Sequence, residues 1–265
     1  MKKSNLNMVY TLLYWLGITL LFNSNAIAQP AGTTNFYSNI KGYNLASLWH
    51  ADKLRLISLK RTDPFPEPYG ILGKNNQRFY IHYTTVTKDA TNPYLYKVEG
   101  KTRTGNQVRT FTGTITVKQA GIFKPGNNPY APEPYKGYRR GKLVGQVVLT
   151  EANTSVSSTI TGELTTDFCI NSQNQLLYDT LDFGMDGYAN NSFTGLYKAN
   201  GSKATQKLHY GDYDITGSEF SDEGGIAVPS QYEKYGWKSF VDAIPSDLRP
   251  ASKAAIAEEK RQWWK

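Results

Sequence analysis

From Arg78 to Tyr210 apolar residues recur at every second position, and nothing else in the chain restricts its fold as strongly. Successive side chains of a strand point to opposite faces, so this period describes strands with one face in a core and one in water. Phe79, Ile81 and Tyr83 share one face of the segment Arg78–Tyr83. Phe111, Ile115 and Val117 share another, opposite Thr110, Thr112, Thr114 and Thr116. Gly113, in the middle of that run, predicts a bend or bulge. Further strands are predicted at Leu54–Leu59, Tyr94–Val98, Leu143–Leu149, Val156–Phe168, Leu176–Phe183, Phe193–Lys198 and Thr205–Tyr210, about nine in all. Thr104-Gly105-Asn106 and Ala199-Asn200-Gly201-Ser202 supply turns, the second with the Asn-Gly signature of a hairpin.

Helical patterning is confined to the C-terminal end. Ser252–Trp264 is rich in Ala, Glu, Lys and Arg, with Ser252 placed to cap it, and Ser230–Ala243 reads as a shorter helix. No long periodic helix separates the strands, which argues against parallel βαβ units. The predicted fold is therefore all-β: a mostly antiparallel barrel, lipocalin-like, with short C-terminal helices. A sandwich is the alternative, and barrel closure is favoured because it removes exposed strand edges.

The N-terminus reads as a secretory signal peptide over residues 1–28. Lys2 and Lys3 precede an apolar stretch from Met8 to Phe22, and Ala26-Ile27-Ala28 offers a small-x-small cleavage site. The alternative is an uncleaved anchor, but the apolar run is shorter than the roughly 20 residues a spanning helix needs. Residues 29–265 then form a single exported β-barrel-like domain with a helical tail and no transmembrane segment, in the periplasm, on the cell surface or secreted. Cys169 is the only cysteine, so no intrachain disulfide forms, and its place in an alternating segment reads as a buried small hydrophobe.

Charge is unevenly distributed. Residues 29–142 hold 18 Lys/Arg against 6 Asp/Glu, and residues 143–265 hold 10 against 16. Attraction between two halves of one fold is the favoured reading, and an anion-attracting face on the first half is the alternative. Nucleic acid is not an expected partner, because no basic stripe carries a recognisable module.

Arg78-Phe79-Tyr80-Ile81-His82-Tyr83, Val98-Glu99-Gly100-Lys101-Thr102, Phe111-Thr112-Gly113-Thr114-Ile115, Asn190-Asn191-Ser192-Phe193-Thr194-Gly195 and Gly211-Asp212-Tyr213-Asp214-Ile215 resemble a recurrent pattern in uncharacterised secreted bacterial β-rich proteins. Those proteins are similar to lipocalin-like barrels. The resemblance covers most of residues 45–240 and implies an architecture, with no functional residue attached.

Motifs for nucleophilic, phosphate or metal chemistry are not found, and no cofactor is implied. His50, His82 and His209 stand alone in sequence; His82 and His209 fall on the polar faces of their strands, where a two-His metal site is the rarer reading. Carboxylates cluster late, at Asp179, Asp182 and Asp186 and again at Asp212, Asp214, Glu219, Asp222 and Glu223. They read as turn and loop residues, or as the acids of a calcium loop or a glycosidase. Aromatics are abundant: 17 Tyr and 4 Trp lie beyond residue 28. The Pro/Tyr segment Lys124–Lys142 is predicted to be a long, semi-rigid loop. Tyr130, Tyr135, Tyr138, Arg139 and Arg140 are the ligand-binding candidates at the rim of a barrel mouth.

Three functions follow from these features. The first is an exported protein binding a small hydrophobic or amphipathic molecule, which requires an internal cavity. The second is a structural or surface-interaction protein with a filled barrel. The third is a hydrolase, which requires two late carboxylates to converge in a cleft.

Overall fold

The computed structural model describes residues 29–127, 136–152, 157–199, 201–222, 225–247 and 249–265. The expected signal peptide lies outside the described residues, as do Tyr130 and Tyr135. The strands are β1 (Thr33–Asn35), β2 (Lys53–Leu56), β3 (Arg61–Pro64), β4 (Tyr69–Leu72), β5 (Gln77–Lys88), β6 (Leu95–Thr104), β7 (Gln107–Phe123), β8 (Arg139–Ala152), β9 (Ser158–Ile170), β10 (Leu176–Tyr178), β11 (Asn190–Lys198) and β12 (Gln206–Asp212). Strands β4 to β9 pair in chain order, β9 pairs with β11, β11 with β12, and β12 returns to β4. All these pairings are antiparallel, so eight strands close into a barrel, as the alternation predicts. Among the described residues no helix is long and apolar enough to cross a membrane.

Several predicted elements take other places. Lys53–Leu56 does not begin the barrel; it pairs with Arg61–Pro64 in a separate hairpin. Its alternate residues Leu54 and Leu56 are buried in the main core, so the period is satisfied by covering the barrel rather than joining its wall. The strand predicted at Leu176–Phe183 stops at Tyr178, because the Asp179 side chain accepts a hydrogen bond from the Leu181 amide and turns the chain. Gly113 pairs regularly with Leu149, and the register shift in β7 falls between Val117 and Gln119. Glycine stands at 113 because a Cβ there would meet the Val148 carbonyl oxygen at 2.2 Å and Leu149 Cα at 2.8 Å. The two predicted helices are shorter than expected. Ser252 Oγ does cap Lys253–Glu259, and Gly236, at φ 95°, divides the Ser230–Tyr235 turn from helix Lys238–Ala243.

The barrel axis is filled with rings. Tyr83 and Phe111 meet edge to face at 5.5 Å, Phe193 and Tyr210 stack at 4.5 Å, and the hydroxyls of Tyr83 and Tyr210 bond at 2.8 Å. The rings fit because glycines lie beneath them. A Cβ at Gly162 or Gly195 would sit 2.7 or 2.5 Å from Phe193 Cζ, closer than packed atoms tolerate. One end of the barrel is plugged by the segment before β2: Phe36, Ile40, Leu45, Leu48 and Trp49 are all buried in the core. At that mouth Trp49 Nε1 donates to Thr166 Oγ1 (2.9 Å), and Thr166 donates in turn to Asn191 Oδ1 (2.8 Å). At the other end the hydroxyls of Thr102 and Tyr197 donate to the buried carboxylate of Glu151.

Candidate functional site

The internal cavity expected of a ligand-binding barrel is not found among the described residues: rings fill the axis, and the space for a ligand lies outside the wall. The inward face of β8 and β9 carries Leu143, Leu164 and Phe168, so Arg140, Lys142, Thr165 and Asp167 point outward. Lys142 and Asp167 face each other in register and pair at 3.0 Å. The irregular segment after β10 then crosses this outer wall, bringing Asp179, Asp182, Asp186 and Tyr188 over it. The segment after β12 adds Asp214, Thr216 and Ser221. Together they enclose a cavity of about 470 Å³, with Phe123, Met185 and Ala189 as its apolar part.

Arg140 anchors the cleft, with Nε 2.6 Å from Asp179 and Nη1 2.6 Å from Asp182. Burial pushes the Asp179 and Asp167 carboxyls up, against the pull of Arg140 and Lys142 respectively. Burial draws the Arg140 guanidinium down, and Asp179 and Asp182 more than reverse this, leaving it raised. The Tyr188 hydroxyl donates to the Asp179 carbonyl at 2.6 Å, and its ring belongs to an aromatic triangle with Phe183 and Tyr213. Asp214 differs from the other acids. It is 2% exposed, and Oδ2 accepts from Ser221 Oγ at 2.5 Å. Its Oδ1 is buried with no hydrogen-bond partner among the described residues.

Of the predicted ligand residues, the structure brings only Arg140 into this cleft. Arg139 is exposed, donating to Asn174 Oδ1 at 3.1 Å with its guanidinium 5.9 Å from the Phe36 ring. Tyr138 is half-buried at the entry to β8 and does not line the cavity. Consecutive strand residues diverge, so Arg139 and Arg140 cannot share one site. The late carboxylates also separate. Asp179, Asp182, Asp186 and Asp214 converge, whereas Glu219 accepts from Asn76 Nδ2 and Tyr232 at a second surface cavity of about 710 Å³. Asp212 turns into the plugged mouth. There its Oδ2 takes hydrogen bonds from Tyr178 (2.8 Å) and Asn191 (2.7 Å), and burial pushes its carboxyl up to about 7.

His82 and His209 do not come together, so the rarer reading of a two-His site is not met. His209 lies beside Thr194, while His82 bonds Glu67 Oε1 at 2.8 Å, stacks on Trp264 at 4.0 Å and approaches His50 instead. Among the described residues no three His, Cys, Asp or Glu side chains come together as metal ligands, so the calcium reading of the late acids finds no support here. Cys169 is fully buried, and burial pushes its thiol up, which leaves it unsuited to nucleophilic work.

Lys142, Asp167, Tyr188 and Ser221 were not singled out by sequence. The Lys142–Asp167 pair is 25 residues apart and carries no local signal; only the β8–β9 register joins it. Compared with models of known families, with curated proteins and with solved structures, the chain matches none.

Proposed function

We propose that this chain is an exported binding protein for a small amphipathic molecule, held in the outer-wall cleft of the barrel. The single observation that carries the reading is Asp214 Oδ1, a buried carboxylate oxygen without a hydrogen-bond partner among the described residues, beside a cavity of about 470 Å³. A buried acceptor left unbonded costs on the order of 1–3 kcal/mol, and more where it is charged, and a donor on a ligand removes that cost. The cavity falls within the usual range for small-molecule sites and combines apolar walls with a few convergent polar groups. Export rests on Lys2, Lys3, the apolar run to Phe22 and the Ala26-Ile27-Ala28 site.

The filled barrel also favours the surface-interaction reading, and one experiment separates the two. The mature protein is purified gently from its own host and weighed by native mass spectrometry. A retained small molecule, lost in Asp214→Ala and kept in Lys207→Ala at the second cavity, supports binding in the cleft. A bare mass, with no uptake from lipid and glycan extracts, moves the protein to a surface role.

A further inference from the structure

Resting on that reading, we infer that the donor the cleft takes is a cationic nitrogen: a primary or secondary ammonium on a small amphipathic body. Five carboxylates line the cavity, from Asp167, Asp179, Asp182, Asp186 and Asp214, against two cations, Arg140 and Lys142. The cations are already engaged: Arg140 with Asp179 and Asp182, Lys142 with Asp167. No ion pair reaches Asp186 or Asp214 among the described residues, so the lining is left with negative charge and no protein cation to balance it. All five acids come from residues 143–265, the acidic half of a chain whose formal balance is +8.

Charge separates the ligand classes. A hydroxyl would satisfy the geometry of Asp214 Oδ1 and leave a buried carboxylate without a counter-charge. An ammonium supplies the hydrogen bond and the counter-charge together, and charge-assisted bonds are the stronger kind. An anion would meet the surplus of carboxylates and is excluded by repulsion. Asp186 is exposed at the rim, where it attracts a cation before Asp214 receives it. The body of the ligand has Met185, Phe123 and Tyr188 against which to lie, and an aromatic face adds attraction for a cation.

The test titrates the mature protein with n-hexylammonium and, separately, with n-hexanol and glucose as neutral comparators. Calorimetry measures affinity, and amide chemical shifts of Ser192, Thr216 and Ser221 report position. The expected result is shifts at those amides, with the ammonium bound about tenfold or more tightly than hexanol. Asp214→Asn, which keeps the size and an acceptor oxygen but removes the charge, is expected to weaken the ammonium about tenfold and leave the neutral probes unaffected. Asp186→Asn, at an exposed position that folding does not need, is expected to weaken it about two- to fivefold. It keeps the test decisive if Asp214→Asn does not fold. Neutral probes that bind at these amides as well as the ammonium overturn the cation and leave the cleft as the binding site. No probe moving these amides overturns both.

Discussion

Two arginines at opposite ends of the barrel, both pointing outward from its wall and both nearly buried, meet different fates. Arg78, 4% exposed at the start of β5, is sealed by the chain's own C-terminal helices. Glu259 takes both of its terminal nitrogens at 2.8 and 2.5 Å, and the rings of Tyr80, Trp237 and Phe240 lie 4.5, 4.9 and 5.6 Å from the guanidinium. Arg140, 11% exposed near the start of β8, also holds two carboxylate oxygens, but they come from an irregular segment that leaves a cavity beside them. Regular helices pack without gaps, so they turn one buried charge into a structural clasp. An irregular crossing leaves space beside the ion pair, where a ligand can reach the acids that Arg140 does not hold.

The largest expected effect breaks the clasp. Arg78→Ala leaves the Glu259 carboxylate with Ser239 Oγ alone as its donor among the described residues and removes the packing of three rings. It is expected to cost about 3–5 kcal/mol in chemical denaturation, with tryptophan fluorescence shifting red as the buried Trp237 ring loosens. Arg140→Ala should cost less, about 1–3 kcal/mol, because water entering the cleft solvates Asp179 and Asp182. Equal losses from the two substitutions would mean that the cleft is as closed as the clasp.

Asp212 and Asp214 extend the comparison to acids, since each carries a buried oxygen without a partner among the described residues. Asp212 is sealed in the mouth, and its folded pKa, about 7, is raised above the usual carboxylate value, chiefly by burial. The folded state therefore binds the proton more tightly than the unfolded state. The stability this adds is complete below about pH 4 and is lost as pH rises through about 7. Across that window wild-type stability is expected to fall by at most about 1.4 kcal/mol per pH unit from this group. Asp212→Asn removes that component, which urea denaturation at a series of pH values measures. An unchanged slope would show that Asp212 is ionised in the folded protein throughout. The smallest effect has the opposite sign: Asp214→Asn keeps an acceptor for Ser221 and removes an unbalanced buried charge, so it is expected to raise stability by about 1 kcal/mol while abolishing the cation preference of the cleft. A large loss of stability there would make Asp214 a structural residue like Asp212.

Much of the wall was legible because a period of two is local. Phe79, Ile81, Phe111, Ile115, Ile160, Leu164 and Phe168 all face inward as their spacing predicts. The plug was not legible. Leu54 and Leu56 alternate like barrel residues, and nothing local distinguishes a strand that closes a barrel from one that caps it. Whether the barrel was hollow was equally hidden, because the rings of Phe111 and Phe193 fill space only where Gly100, Gly162 and Gly195 come to lie beneath them. The site was legible in part: the cluster at Asp179, Asp182 and Asp186 stood out, while its partners on β8 and β9 did not.

Asp212 and Asp214 mark where local pattern ends. Two residues apart, they would share a face if the strand continued. Tyr213 adopts φ 70°, in the left-handed region, so the chain reverses between them. One acid is carried into the mouth and the other onto the outer wall. The amino-acid sequence by itself determined that this chain builds antiparallel strands with one apolar face, because side-chain alternation follows from backbone geometry alone. Only the tertiary structure decided which strands form the wall, that rings fill the axis, and which carboxylate faces open space, because each depends on neighbours supplied by distant parts of the chain.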